Sequence, residues 1–215
     1  MNTCYAVIGT SRSGSSAVSG ALHCMGINMG DILLSPLANI NPKGFFEDSE
    51  FLAHHKEMYG EIPFIFNNVN QIKLDSLIPK YTNLIRKKCS QSKWGVKDPR
   101  MVFLLKDFSS RLINCKLKVI STSRPINQSA KSMAKAIKTD YRNASEIIGR
   151  YEVARLDTLQ WLQETGVETI VIEYKELMER PSETVKALAA FCDITDEGTI
   201  EIASKTIDAR LWHEK

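Results

Sequence analysis

The stretch Gly9-Thr-Ser-Arg-Ser-Gly-Ser-Ser16 comes directly after the apolar run Tyr5-Ala-Val-Ile8 and before a helical pattern of apolar residues. A glycine-rich loop between a strand and a helix is typical of a phosphate site, because backbone N–H groups and the helix N-terminus point at the anion. The octet fits the template G-x-x-x-x-G-K-[ST] at Gly9, Gly14 and Ser16. We therefore predict that this loop binds a phosphate group.

The loop departs from the template at one position, since Ser15 stands where the template has lysine. That lysine neutralises the β- and γ-phosphates in nucleoside triphosphate sites. The loop keeps its hydroxyl groups and adds a cation, Arg12, so we expect a smaller anion at the end of a nucleotide, held without a metal ion. Alternatively, Gly9 and Gly14 shape an ordinary turn, and Ser15 or Ser16 caps the helix.

The composition is that of a globular protein. The chain has 215 residues, of which 43% are hydrophobic and 25% charged, and these values predict one domain over residues 1–215. A net charge of +3 is too small to indicate a nucleic-acid partner or an acidic membrane surface. The five cysteines contain no C-x-x-C pair, which favours reduced thiols over disulfides or a zinc site. Without a signal sequence or a run of eighteen apolar residues, we expect a soluble, cytoplasmic chain with no membrane span.

Strand patterns alternate with longer helical patterns along the chain. The strand patterns cover Cys4–Ile8, Trp94–Lys97, Leu117–Thr122 and Thr169–Glu173. Such alternation predicts an α/β, three-layer, P-loop-type fold with a central, mainly parallel sheet of about five strands and helices on both faces. Gly26 and Gly166 are expected to end two of the helices, and Pro181 to begin another.

A second polar segment follows the third strand pattern. Arg124-Pro125 comes directly after the strand, and Ser132 follows eight residues after Arg124 on a predicted helix. Open α/β sheets bind ligands at the carboxyl ends of their strands, where an arginine holds a phosphate through two parallel hydrogen bonds and a serine binds a further oxygen. Alternatively, Arg124-Pro125 only ends the strand and Ser132 lies on a solvated helix face.

Four segments, in order along the chain, resemble those of the sulfotransferases that use 3′-phosphoadenosine-5′-phosphosulfate (PAPS) as sulfuryl donor. The first, Gly9–Ser16, is similar to the family's 5′-phosphosulfate loop, and it includes the form found in carbohydrate and protein sulfotransferases, here Arg12, Ser13, Gly14, Ser15 and Ser16. The second, Trp94–Arg100, resembles the strand end where the family has a lysine beside the transferring group, here Lys97.

The other two segments resemble the family's nucleotide-binding parts. Arg124 and Ser132 match the 3′-phosphate motif, including its arginine-to-serine spacing. The stretch Ile172–Pro181 is similar to the segment whose tyrosine, here Tyr174, lies near the adenine. The resemblance implies that PAPS binds without a metal, with its 5′ end on the loop, and leaves as adenosine-3′,5′-bisphosphate.

The resemblance also implies catalytic roles. Lys97 and Arg12 are the implied groups that stabilise negative charge on the leaving oxygen, where preorganised donors contribute most to catalysis. The alternative for Lys97 is a structural ion pair with Asp98.

The general base does not follow from the strand end. The cytosolic members of the family have Lys-Thr-His there, whereas this chain has Lys97-Asp98-Pro99, and proline accepts no proton. Related sulfotransferases place a glutamate in a segment after the first helix, which implies Glu47 as the catalytic base. Asp48 is an alternative base, or the cap of the next helix, and His54 and His55 are further candidates.

The sequence as a whole predicts a sulfotransferase acting on a hydroxyl or amine of a small-molecule, carbohydrate or lipid acceptor. The acceptor pocket is expected among residues 36–70 and 129–140. One alternative is a P-loop kinase using ATP and magnesium, with Asp98 as its strand-end aspartate. Another is a nucleotide-binding module without catalytic activity. The sequence leaves the acceptor and the oligomeric state open.

Overall fold

The computed structural model describes residues 1–37, 41–60, 71–208 and 210, with the side chains of all of these except 71–75. The strands in this part of the chain are β1 (Asn2–Gly9), β2 (Lys93–Lys97), β3 (Cys115–Ser123) and β4 (Thr169–Glu173). The helices are α1 (Ser15–Cys24), α2 (Ser49–Tyr59), α3 (Gln71–Lys88), α4 (Met101–Ser109), α5 (Ile126–Ile137), α6 (Tyr141–Thr165), α7 (Tyr174–Glu179), α8 (Pro181–Phe191) and α9 (Glu197–Lys205). None of the described helices has both the length and the hydrophobicity needed to cross a membrane.

Helix boundaries follow the glycine and proline signals. Gly26 and Gly166 have positive φ angles of 83° and 67° just beyond α1 and α6, a conformation that glycine adopts without steric cost. Pro181 is the first residue of α8, where its missing N–H is not needed. These three predicted boundaries are confirmed.

The sheet has the strand order β2-β1-β3-β4, and all three strand pairs are parallel. The predicted α/β class and parallel sheet are confirmed, although the described residues form four strands where about five were predicted. The sheet ends at β2 and β4 because each of them pairs with a single neighbour. Val7 lies beside Lys97 and Gly9 beside Thr122, so the carboxyl ends of three strands meet at one edge. Open α/β sheets bind ligands at that edge.

The central strand β1 is buried on both faces. Cys4, Ala6 and Ile8 pack with residues of α2, α3, α4 and α6, whereas Tyr5 and Val7 pack with α1, α7, α8 and α9. Because successive strand residues point to opposite faces, one continuous apolar run supplies both core layers. Each large apolar side chain that is buried stabilises the fold by about 1.5–3 kcal/mol. The sheet is therefore the middle of three layers, as predicted.

Two glycines provide a test of this packing. A Cβ at Gly9 would lie 2.1 Å from Thr122 Oγ1, whereas a Cβ at Gly149, within α6, would meet no neighbouring element within 4 Å. We expect Gly9→Ala to lower the free energy of unfolding by about 1–3 kcal/mol through overpacking. Gly149→Ala should raise it by up to about 1 kcal/mol, because alanine has the higher helix propensity. Urea denaturation of both variants measures the two effects, and equal effects would contradict the close approach at Gly9.

Candidate active site

Hydroxyl groups fasten the loop after β1 to β3. The Ser13 hydroxyl donates to the Thr10 carbonyl at 2.6 Å and lies 2.7 Å from Thr122 Oγ1, in a fully buried position. The Ser13 backbone N–H also donates to the Thr10 carbonyl, at 3.3 Å. Both polar groups of Ser13 thus shape the loop, and its predicted contact with a donor stays a prediction.

The loop leads into helix α1, whose N-terminus has no side-chain cap. Arg12 and Gly14 have positive φ angles of 69° and 91°, and Gly14 is the N-cap of α1. No side chain caps this helix, so the alternative in which Ser15 or Ser16 serves as the cap is wrong. The first turn of α1 also carries no acidic residue. Its N–H groups and positive dipole end therefore favour an anion.

The ring of Tyr174, the first residue of α7, forms a wall of the site. A Cβ at Gly14 would lie 2.6 Å from Tyr174 Cδ2, so the loop passes close against this ring. On the other side, the Arg124 guanidinium carbon lies 4.3 Å from the ring centroid, a cation–π contact. Burial raises the pKa of the Tyr174 hydroxyl.

The two predicted anion-binding segments meet in space. Arg12 Nε donates to Ser132 Oγ at 3.0 Å, and Arg124 Nη1 donates to the Arg12 carbonyl at 3.1 Å. Burial lowers the pKa of the Arg12 guanidinium. Ser132 lines a cavity, so the alternative that places it on a solvated helix face is wrong. The arginine of the first segment is thus placed beside the residues of the second.

A buried ion pair lies at the end of β2. Lys97 Nζ donates to Glu47 Oε1 at 2.5 Å and to Ser16 Oγ at 3.3 Å, and both charged side chains are less than a tenth exposed. The alternative pairing of Lys97 with Asp98 is not found, because Asp98 bonds to His55 and Arg100. One ammonium group therefore contacts both the loop and a carboxylate.

The other candidate bases have structural partners or lie away from the loop. Asp48 caps α2 by accepting from the Glu50 N–H at 2.8 Å, and it also accepts from the buried Lys88 at 2.8 Å. His54 is half-buried on α2, and its ring lies near Tyr81. Among the described residues that line the cavity, Glu47 is the one candidate base that is present.

His55 is the core of a second polar network. Its Nδ1 is hydrogen-bonded to Asp98 Oδ2 and its Nε2 to the Tyr81 hydroxyl, each at 2.9 Å, with the His55 side chain fully buried. Arg100 Nη1 donates to both oxygens of Asp98 at 3.0 Å. Burial raises the pKa of Asp98, but its contacts with His55 and Arg100 lower it by more and hold it at about 2. This network fixes the turn that follows Lys97.

A cavity of about 980 Å³ opens over the loop. Its donor-side lining consists of Arg12, Gly14, Ser15, Ser16, Lys97, Arg124, Ser132 and Tyr174. Some of the residues predicted to form an acceptor pocket, 41–47 and the last two turns of α5, also line the cavity, and their contact with an acceptor stays a prediction. The predicted pocket residues 38–40 and 61–70 lie outside the described residues.

Sequence reasoning missed a contact that holds Glu47 in place. Phe46 has a φ of +55°, which is unusual for an aromatic residue, and a Cβ at Gly20 would lie 2.9 Å from its ring. The ring also lies 5.8 Å from that of His23. The absence of a side chain at Gly20 on the helical pattern was the one available signal. The ring contact with α1 fixes the backbone from which Glu47 extends.

The depressed pKa of Asp98 makes the stability of the protein sensitive to acid. Because the folded-state value of about 2 lies below the ordinary 3.8, the stabilisation is fully present above about pH 4 and is lost as the pH falls towards 2. We expect Asp98→Asn to reduce the free energy of unfolding by about 3–5 kcal/mol at pH 7. The deficit should shrink by about 2 kcal/mol at pH 2. Urea titrations at several pH values measure it, and a deficit independent of pH would contradict the assignment.

No protein-family model matches this sequence, and no curated protein matches it either. Several solved structures are similar to this chain. The sulfotransferase domain from the Synechococcus PCC 7002 olefin synthase aligns with a TM-score of 0.56 at 16% identity, over 100% of this chain and 88% of that one. The sulfotransferase domain from the curacin biosynthetic pathway aligns with a TM-score of 0.53 at 14% identity, over 93% and 77%.

A third similar structure is the sulfotransferase STF1 from Mycobacterium tuberculosis H37Rv, with a TM-score of 0.52 at 16% identity over 97% of this chain and 72% of that one. At these identities the similarity concerns the fold, and it extends over nearly the whole chain. The chain has the α/β fold of sulfotransferase domains.

Proposed function

We propose that this chain is a sulfotransferase that moves the sulfuryl group of PAPS to a hydroxyl or amine of an acceptor. The observation that carries the proposal is that one cavity contains two groups of cationic and hydroxyl side chains. Lys97 contacts Ser16 at the N-terminus of α1, while Arg12 donates to Ser132 on α5 and Arg124 donates to the Arg12 carbonyl. A nucleotide with anions at two separate positions fits this arrangement.

The residues present fit the donor without a metal ion. Arg12, Lys97 and Arg124 are among the cationic side chains that line the cavity, and they offset part of the negative charge of a 5′-phosphosulfate and a 3′-phosphate. The Tyr174 ring offers the adenine an aromatic neighbour.

Lys97 and Glu47 have different roles in the proposed reaction. When bound, PAPS supplies a sulfuryl group whose bond to the 5′-phosphate oxygen breaks as the acceptor oxygen bonds to sulfur. Lys97, in contact with Ser16 of the loop, places positive charge where negative charge develops on the leaving oxygen. Glu47, which accepts a hydrogen bond from the same Lys97 ammonium group, takes the proton of the acceptor. The role of Arg12 in stabilising the leaving oxygen stays a prediction, because Arg12 Nε is hydrogen-bonded to Ser132.

The geometry favours this proposal over a P-loop kinase. Kinases of this type hold magnesium beside the phosphates with an acidic side chain. Asp98, the strand-end aspartate, has both oxygens bonded to Arg100 and one also to His55.

Binding of adenosine-3′,5′-bisphosphate without magnesium tests the donor site. We expect this ligand to stabilise the protein by roughly 2.7 kcal/mol at a hundredfold excess over its Kd, measured by thermal denaturation. Arg124→Ala should weaken its binding by about 1.5–3 kcal/mol, because a charge-assisted contact with the 3′-phosphate is lost.

Adenosine-5′-phosphosulfate, which lacks the 3′-phosphate, is the control ligand. Its Kd should change little in Arg124→Ala. Equal losses for both ligands would remove Arg124 from the 3′ site. Stabilisation by ATP with magnesium, and none by the bisphosphate, would support the kinase instead.

Replacement of Glu47 by glutamine tests the base. The amide keeps an oxygen for Lys97 but accepts no proton, so we expect transfer of sulfur-35 from PAPS to slow by roughly 10² to 10⁴ with donor affinity retained. The measurement is a transfer assay across alcohols, phenols, sugars and amines. Transfer at nearly the parental rate would remove Glu47 as the base.

Asp48→Asn is the matched control for Glu47→Gln. Asp48 is the next residue, is equally buried and is also paired with a buried lysine, Lys88. Glu47→Gln removes the charge partner of the buried Lys97, whereas in Asp48→Asn the buried Lys88 keeps a second partner, Asp31, so we expect the larger loss of stability in Glu47→Gln. Only Glu47→Gln should slow transfer at a temperature where both variants are folded.

A further inference from the structure

The cavity extends beyond Glu47 into a half that is lined mainly by apolar side chains. We call this the acceptor half, and its apolar lining consists of Leu34, Phe45, Phe46, Met133, Ala136 and Ile137. These side chains come from separate parts of the chain, because Phe45 and Phe46 belong to the segment before α2 and the last three residues belong to α5. The acceptor half is continuous with the loop, where the donor is proposed to bind.

Several polar groups of the acceptor half are already bonded within the protein, although the side chains of Asn41 and Lys135 also line it. Lys43 Nζ donates to the Thr206 carbonyl at 2.7 Å and lies 3.5 Å from Asp208 Oδ2, which also accepts from Arg210 at 2.9 Å. Glu47 is paired with Lys97. A sugar ring carries a hydroxyl on nearly every carbon, and each one buried without a partner weakens binding on the order of tenfold. This lining therefore disfavours a carbohydrate.

We propose that the acceptor is an alcohol whose hydroxyl group is carried on an apolar body, and that this body lies between Phe45–Phe46 and the end of α5. The proposal rests on the proposed function and adds the substrate class. The hydroxyl lies at Glu47, where the two halves of the cavity meet. Its proton passes to Glu47 and its oxygen bonds to sulfur. The bond between sulfur and the 5′-phosphate oxygen breaks, and its electron pair leaves with adenosine-3′,5′-bisphosphate.

The wall at Phe46 is preformed. Its ring is in close contact with Gly20 of α1 and lies beside His23, so it cannot move towards the helix. A rigid apolar wall binds an apolar body without an ordering cost at the moment of binding. The wall and the base are consecutive residues, and a body packed on Phe46 is therefore held within reach of Glu47.

A series of linear alcohols tests the proposal. We expect the Kd values of 1-butanol, 1-hexanol and 1-octanol for the protein saturated with adenosine-3′,5′-bisphosphate to fall by about fourfold per methylene group, measured by ligand-observed NMR. Glucose and N-acetylglucosamine should show no saturable binding. With PAPS carrying sulfur-35, label should appear in octyl sulfate and not in either sugar.

Two isoleucines on α5 give a matched pair of variants. Ile137 lines the acceptor half and is 43% exposed, whereas Ile126 is 41% exposed at the other end of the helix and is not among the lining residues described. We expect Ile137→Asp to weaken octanol binding by at least tenfold and leave the Kd of the bisphosphate unchanged. Ile126→Asp should change neither value.

The outcomes separate this proposal from the proposed function. If the bisphosphate binds and a sugar binds or is sulfated in preference to octanol, the substrate class is overturned while the sulfotransferase stands. Unchanged octanol binding in Ile137→Asp, or no octanol binding at all, overturns the proposal as well. If the bisphosphate itself does not bind, the proposed function fails first.

Discussion

The buried ion pair between Lys97 and Glu47 is the interaction on which the site depends. Lys97 ends β2, and Glu47 lies just before α2, so the pair ties the carboxyl edge of the sheet to the segment that covers it. Neither charge is stable in the interior without the other, since an unpaired buried charge costs several kcal/mol. The pair therefore presets the distance between a cation at the loop and a carboxylate at the acceptor half of the cavity.

The fold was largely predictable because its signals are local. The apolar run in β1, the glycines after α1 and α6 and the proline at the start of α8 act within a few residues. Each of the four strands was located, and Thr169–Glu173 was predicted to the residue. The sequence has no fifth apolar run that would locate another strand, and the described residues form no fifth strand of the sheet.

The site was predictable only as a set of residues. Arg12, Arg124 and Ser132 were each identified, but their mutual contacts depend on how the loop turns at a positive φ angle, which the sequence does not encode locally. The Asp98 network joins residues of α2 and α3 to the turn after β2, and its directly bonded residues are up to 43 positions apart in the chain. Glu47 and Asp48 are adjacent carboxylates of the same type, and only packing decides that one faces the cavity while the other caps a helix.

The contact between Gly20 and Phe46 connects the loop where the donor is proposed to bind with the acceptor half of the cavity. Gly20 belongs to the helix whose N-terminus forms the anion site, and Phe46 precedes the carboxylate that faces the acceptor half. Because a Cβ at Gly20 would lie 2.9 Å from the Phe46 ring, a larger residue at position 20 requires the ring to shift or a smaller residue at position 46. Under the proposed function, a substitution in the aromatic wall that changes acceptor binding therefore also changes the packing of the helix that is proposed to hold the donor.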